Sequence, residues 1–167
     1  MSRTETEMRA AIVAEARKWL GTPFHHRQRC LGRGVDCVNL LIAVYSAVGL
    51  APEIQTPWYP HDWHLHRNDE LLVGTLRQYA HPVRTALPGD VAVYGYGRVI
   101  SHAAIIEDAD RLIHAYKLAD RVCETDRTAL ESRLASEWTS RRKNKEVISS
   151  YWSVFGAPAA AAGRMAA

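Results

Sequence analysis

A chain of 167 residues, 47% of them hydrophobic and 23% charged, has the composition of a globular protein and can build a core without disulfide or metal staples. Twenty-one Lys and Arg against 18 Asp and Glu leave a net charge of +3, too small a bias to single out nucleic acid as a partner. Three cysteines at unrelated spacings argue against a disulfide framework and for synthesis in a reducing cytoplasm, and "MSRTETEMRAAIVAEARKWLG" has neither the h-region of a signal peptide nor a run able to span a membrane.

In chain order, Thr4 and Glu7 have capping-box spacing ahead of Met8, Ile12, Ala16, Trp19 and Leu20, which recur at helical period until Gly21. Residues 21–35, rich in Gly, Pro, His and Arg, read as a loop. A helix over about 36–48 is almost wholly apolar and therefore buried on most sides, with Gly49 and Pro52 as stop signals. "APEIQTPWYPHDWHLHRN" at 51–68 reads as an ordered surface loop, and "DELLVGTLRQYA" as a short helix.

After Pro88-Gly89, the runs "DVAVYGY", "SHAAIIE", "RLIHAY" and "RVCET" predict an antiparallel meander. Thr128 and Glu131 repeat the capping-box spacing before "TALESRLASEW", and "EVISSYWSVF" is a final strand. The expectation is one α+β domain over 1–156, with N-terminal helices packed on an antiparallel β-meander, followed by a frayed low-complexity tail at 157–167.

Cys37 falls in the first turn of the apolar helix, where unpaired N–H groups and the macrodipole favour a thiolate. A free cysteine is more often a small core residue, so the histidines bear on the choice. If Ile106 faces Asp110 across a three-residue loop, His102 stands opposite His114 on one face of a hairpin. Two neighbouring imidazoles could then take the proton from Cys37 and hold the ring that takes it; the bland alternative is two ordinary strand histidines.

Five segments together resemble the NlpC/P60 cysteine peptidases, which have a papain-like core. They are "WLGTPF" at 19–24, "GVDCVNLL" at 34–41, "LPGDVAVY" at 87–94, "SHAAII" at 101–106 and "LIHAY" at 112–116. Their order and spacing agree with the family over roughly residues 8–155. The resemblance implies Cys37 as nucleophile, His102 as general base and His114 as the orienting third residue. It also implies Asp36 as a contact for the free amine of a peptidoglycan stem peptide, and hydrolysis at the γ-D-glutamyl to diamino-acid bond.

Phe24 stands where the family has a tyrosine whose hydroxyl lies near the nucleophile, and Val38 and Asn39 replace the usual serine and glycine. Phe24 and Val38 therefore bear on substrate choice or rate. The "TPWYPHDW" loop and the lack of a signal resemble the branch associated with tails of phages and gene transfer agents, which implies phage-like tail proteins as partners and action at the cell wall. Trp58, Tyr59 and Trp63 could stack on sugar faces or simply pack the loop down.

No cofactor is implied. His61, His64 and His66, with His25 and His26, match no zinc spacing and do not make a metal site. "SRRKNKE" at 140–146 is too short and too free of aromatics to mark nucleic-acid binding. Two alternatives stay open: a non-catalytic tail component with the same fold, and an acyltransferase or different amidase on this scaffold.

Overall fold

The computed structural model describes residues 3–56, 59–60, 71–96, 99–132 and 149–156. Trp58, Trp63, the histidines at 61, 64 and 66, the 140–146 run and the tail at 157–167 lie outside the described residues.

Helix α1, Glu5–Lys18, opens with the capping box expected of its sequence. Thr4 Oγ1 accepts from the Glu7 N–H at 3.3 Å, and the Glu7 carboxylate accepts from the Thr4 N–H at 2.8 Å. Its buried stripe contains Ile12 and Ala16, with Trp19 packed beside them. Helix α2, Cys37–Ala47, is capped by Asp36 and buries Leu40, Leu41, Val44 and Tyr45. The intervening segment is not all loop, since β1, Arg29–Cys30, and β2, Gly34–Val35, pair as a small ribbon. Helix α3 spans Leu71–Tyr79.

The main sheet has six strands: β3, His81–Val83; β4, Val91–Tyr96; β5, Val99–Ile106; β6, Arg111–Tyr116; β7, Arg121–Asp126; and β8, Ser149–Ser153. The order is β3-β8-β4-β5-β6-β7, antiparallel throughout. The meander holds from β4 to β7, but the chain's last strand enters between β3 and β4, with Trp152 paired to both Pro82 and Val91. Strand β3 escapes a reading of the sequence because it is three residues with a proline at its centre; an edge strand tolerates that proline.

The second expected capping box does not form. Asp126 Oδ1 accepts from the Ala129 N–H at 2.7 Å, so the cap of the helical stretch at 127–132 lies two residues before Thr128, and Glu131 faces Arg127 and Tyr151 instead.

Period-two alternation divides the sheet residues between two cores. Val91, Val93, Ala103, Ile105, Ile113, Ala115 and Val122 face the helices, while Ala92, Tyr94, Ala104, Ile106 and Leu112 face away from them and are covered by Leu130. The Pro-Gly-Asp turn is anchored from both helices: Arg9 Nη1 donates to Pro88 O and Asp90 Oδ1, each at 2.9 Å, and Tyr45 Oη donates to Gly89 O at 2.6 Å. The start of β4 is thereby fixed to α1 and to the C-terminal turn of α2.

Ile105 is fully buried at the junction of α2, β5 and β6. Ile105→Ala should lower unfolding free energy by about 2–5 kcal/mol, the usual range for truncating a core aliphatic, measured by urea denaturation. A loss below about 1 kcal/mol would mean the junction is loosely packed.

Candidate active site

Strands β5 and β6 pair over Ile105↔Ile113 and Ile106↔Leu112, with Glu107 N–H on Arg111 O at 3.0 Å closing the turn. This register differs by one pair from the one expected, since continuing it sets His102 across from Tyr116 rather than His114. A shift of two in the sum of paired positions preserves the face, so His102 and His114 remain on the same side as diagonal neighbours. Their rings meet: His102 Nε2 lies 2.8 Å from His114 Nδ1. The other nitrogen of His114, Nε2, lies 2.8 Å from Thr125 Oγ1 on β7. His114 is completely buried, and Tyr116 stacks on it at 4.7 Å between centroids.

Past Ile105↔Ile113 the described residues of β5 and β6 no longer pair. The Ile106 N–H is directed at Asp90 O on the β4 side, so by alternation the Ala103 N–H is directed at the β6 side, where no partner strand takes it. It is directed instead at the Cys37 sulfur, which the N–H groups of Cys37 and Val38 in the first turn of α2 also face. The thiol is half-buried, and His102 is the residue that precedes, along β5, the Ala103 whose N–H is directed at it. His102 has one ring nitrogen, Nε2, engaged by His114, which leaves Nδ1.

The expectation of a lowered thiol pKa is reversed. Burial first, and the Asp36 carboxylate second, push the Cys37 thiol up to about 12 despite the three N–H groups directed at it. Burial likewise pushes His102 down to about 4. Both shifts favour the uncharged forms, so the resting site holds a thiol and a neutral imidazole.

Asp36 is the N-cap of α2 and is 4% exposed. Its Oδ1 accepts from the N–H and Nδ2 of Asn39, both at 2.9 Å, and its Oδ2 accepts from the Arg27 N–H and the Tyr59 hydroxyl, both at 2.7 Å. Asn39, read above only as a departure from glycine, therefore braces the cap. His26 holds Tyr59 from the other side, with Nε2 3.0 Å from Tyr59 O and the two rings edge to face. Tyr59 is buried, with its hydroxyl on Asp36 rather than its ring offered to a sugar.

Gly34 allows β2 to pass beneath this loop. A Cβ there would lie 2.1 Å from Gln28 Oε1 and 2.8 Å from His25 Cβ. Arg27 adopts a left-handed backbone, φ 61°, as its N–H turns toward Asp36. Phe24 and Val38 are half-buried and pack against the helix-side core. Among the described residues no cluster of His, Cys, Asp or Glu has the arrangement to hold a metal, and no helix is long and apolar enough to cross a membrane.

Solved structures share this fold. The NlpC/P60 domain of the peptidoglycan hydrolase SagA is 21% identical, with a TM-score of 0.50 covering 85% of this chain and 96% of that one. The peptidoglycan hydrolase RipB of Mycobacterium tuberculosis is 13% identical, with a TM-score of 0.55 covering 89% of this chain and 65% of that one. An N-acetylmuramoyl-L-alanine amidase from Bacteroides uniformis is 10% identical, with a TM-score of 0.53 over 87% of this chain and 98% of that one. Other neighbours are longer, this chain spanning 47% and 42% of two of them. No protein-family profile and no curated protein sequence matches the chain. The fold is that of NlpC/P60 domain structures, a mixed arrangement of helices and antiparallel sheet.

Tyr59→Phe removes one of the bonds to the buried Asp36 carboxylate. Hydrogen bonds to charged groups contribute about 1.5–3 kcal/mol, so a loss of that size in thermal or urea unfolding is expected. An unchanged midpoint would mean that the Tyr59 bond does not anchor the cap.

Proposed function

We propose that this protein is a cysteine hydrolase of peptidoglycan stem peptides. The observation that carries the reading is a half-buried thiol at a helix N-terminus against the Ala103 N–H, one residue along β5 from His102, whose Nε2 is held by a second imidazole. The peptidoglycan-hydrolase names of the structural neighbours support the substrate class.

In this mechanism His102 Nδ1 takes the thiol proton as Cys37 Sγ attacks the scissile carbonyl carbon, and the carbonyl electron pair moves to oxygen. The Cys37 N–H is placed to stabilise that oxyanion. The protonated His102 then gives its proton to the departing amine as the C–N bond breaks, leaving a thioester. Water, deprotonated by His102, cleaves the thioester and restores the thiol. Because the resting pair is uncharged, proton transfer accompanies attack rather than preceding it. His114, fixed between His102 and Thr125, keeps the His102 ring oriented.

The finer assignments rest on the sequence resemblance: cleavage between γ-D-glutamate and the diamino acid, delivery on a phage-like tail, and recognition of the peptide by Asp36, Phe24 and Val38; substrate binding by Trp58 and Trp63 rests on their aromatic side chains. An amine at Asp36 has to share oxygens that already accept from Asn39, Arg27 and Tyr59. One observation favours the rival reading of a non-catalytic tail component, the raised thiol pKa of Cys37.

Incubating purified wall fragments with the protein and with Cys37→Ala, and following new free amines by mass spectrometry, separates the two. Release by the unsubstituted protein only is expected; equal product from both removes Cys37 from the chemistry. An added amine acceptor that appears in the product would indicate acyl transfer.

The pH profile gives a second test. His102 must be neutral to take the proton, and its pKa is lowered to about 4, so kcat/KM should hold as pH falls through the ordinary imidazole range and drop only nearer 4. An acid limb centred at about 6.5 or above would contradict the half-buried, neutral His102.

A further inference from the structure

We propose that Thr125 is a positioning residue that sets the proton order of the paired imidazoles, so that the hydrogen-bonded chain behind the thiol has four members, His102, His114, Thr125 and Cys123. This rests on the hydrolytic reading for its consequence, though not for its geometry. The register places it: Leu112 pairs with Thr125 and His114 with Cys123, so by alternation the side chains of His114, Thr125 and Cys123 share one face of the sheet. The contacts run His102 Nε2 to His114 Nδ1 at 2.8 Å, His114 Nε2 to Thr125 Oγ1 at 2.8 Å, and Thr125 Oγ1 to Cys123 Sγ at 3.7 Å.

Each imidazole in such a chain carries one proton, and the chain has two possible directions. In one, His102 Nε2–H donates to His114 Nδ1, His114 Nε2–H donates to Thr125 Oγ1, and the Thr125 hydroxyl donates to Cys123 sulfur. His102 Nδ1 is then bare and able to take the proton of Cys37. In the other, the Thr125 hydroxyl donates to His114 Nε2, His114 Nδ1–H donates to His102 Nε2, and the proton of His102 is on Nδ1. That form cannot act as a base.

The two directions differ in where the Thr125 hydroxyl points, and its threonine rotor has both an acceptor and a donor to offer. Cys123 makes the first direction available by giving the hydroxyl proton a destination, since burial keeps its thiol protonated and its sulfur lone pairs free to accept. His114 is fully buried, so no bulk water replaces the hydroxyl oxygen as acceptor for Nε2–H. Removing that oxygen takes from His114 Nε2–H the acceptor that the base-competent direction uses, and shifts the chain toward the incompetent one, in which Nε2 carries no proton.

Thr125→Val keeps the shape and removes the oxygen; Thr125→Ser keeps the oxygen. Long-range proton–nitrogen correlation spectra of the histidine rings read the tautomers directly and need no substrate. In the unsubstituted protein and in Thr125→Ser, His114 should carry its proton on Nε2 and His102 should have a bare Nδ1. In Thr125→Val the His114 proton should move to Nδ1, and cleavage of wall fragments should fall ~10- to 100-fold in kcat with little change in KM, the range typical of losing a hydrogen-bond partner behind a functional imidazole, with recovery in Thr125→Ser.

The same tautomers in the valine variant as in the unsubstituted protein would overturn the assignment of Thr125, whatever the activity. Failure of the unsubstituted protein to cleave wall fragments overturns hydrolysis instead, so the two failures are distinguishable.

Discussion

The early parting of β5 from β6 is the constraint on which the rest of the site depends. Had the ladder continued beyond Ile105↔Ile113, the Ala103 N–H would have been consumed by a strand partner. Because the pairing stops there, that N–H meets the sulfur at the start of α2, while the two imidazoles meet on the sheet face opposite Ala103, Ile105, Ile113 and Ala115. A sheet irregularity of this kind costs backbone hydrogen bonds, and here the Cys37 sulfur takes up one of the groups it exposes, the Ala103 N–H.

The electrostatics follow from the same enclosure. A helix N-terminus and three N–H groups favour a thiolate, but burial and the Asp36 carboxylate outweigh them, and the thiol is held near 12. The carboxylate has no freedom to leave, because it caps α2 and ties together Arg27, Asn39 and Tyr59. Fixing the helix therefore works against charging the thiol. In the proposed mechanism a neutral thiol–imidazole pair makes the direction of the histidine hydrogen bonds decisive, since that mechanism requires a bare His102 Nδ1 to receive the proton.

Much of this was legible in the residues. The Thr4 capping box, the buried 36–48 helix and the β4 to β7 meander follow from local chemistry and periodicity, and the even spacing of His102 and His114 was enough to place them on one face although the register assumed was off by one pair. What could not be read has physical causes. The insertion of β8 between β3 and β4 depends on pairings as far apart in sequence as His81 with Ser153 and Val91 with Trp152, which no local pattern encodes. The N-cap at Asp126 won over Thr128 because the strand ends earlier than the capping-box spacing suggests. The lowered thiol pKa was expected from helix position alone, and burial, which only the fold reveals, reversed it. Of the two roles open to Tyr59, stacking on a sugar or packing the loop down, the structure shows the second, with its hydroxyl on Asp36. Thr125 was within reach of sequence reasoning, since the alternation that paired the histidines extends one strand further.

The most direct test of the account is acid-quenched mass spectrometry of the protein mixed briefly with stem-peptide fragments, followed by peptide mapping. The account predicts a transient thioester whose added mass maps to the peptide containing Cys37 and disappears as free acid product accumulates. Product formed with no adduct at any time, or an adduct that maps to Cys30 or Cys123, would contradict it.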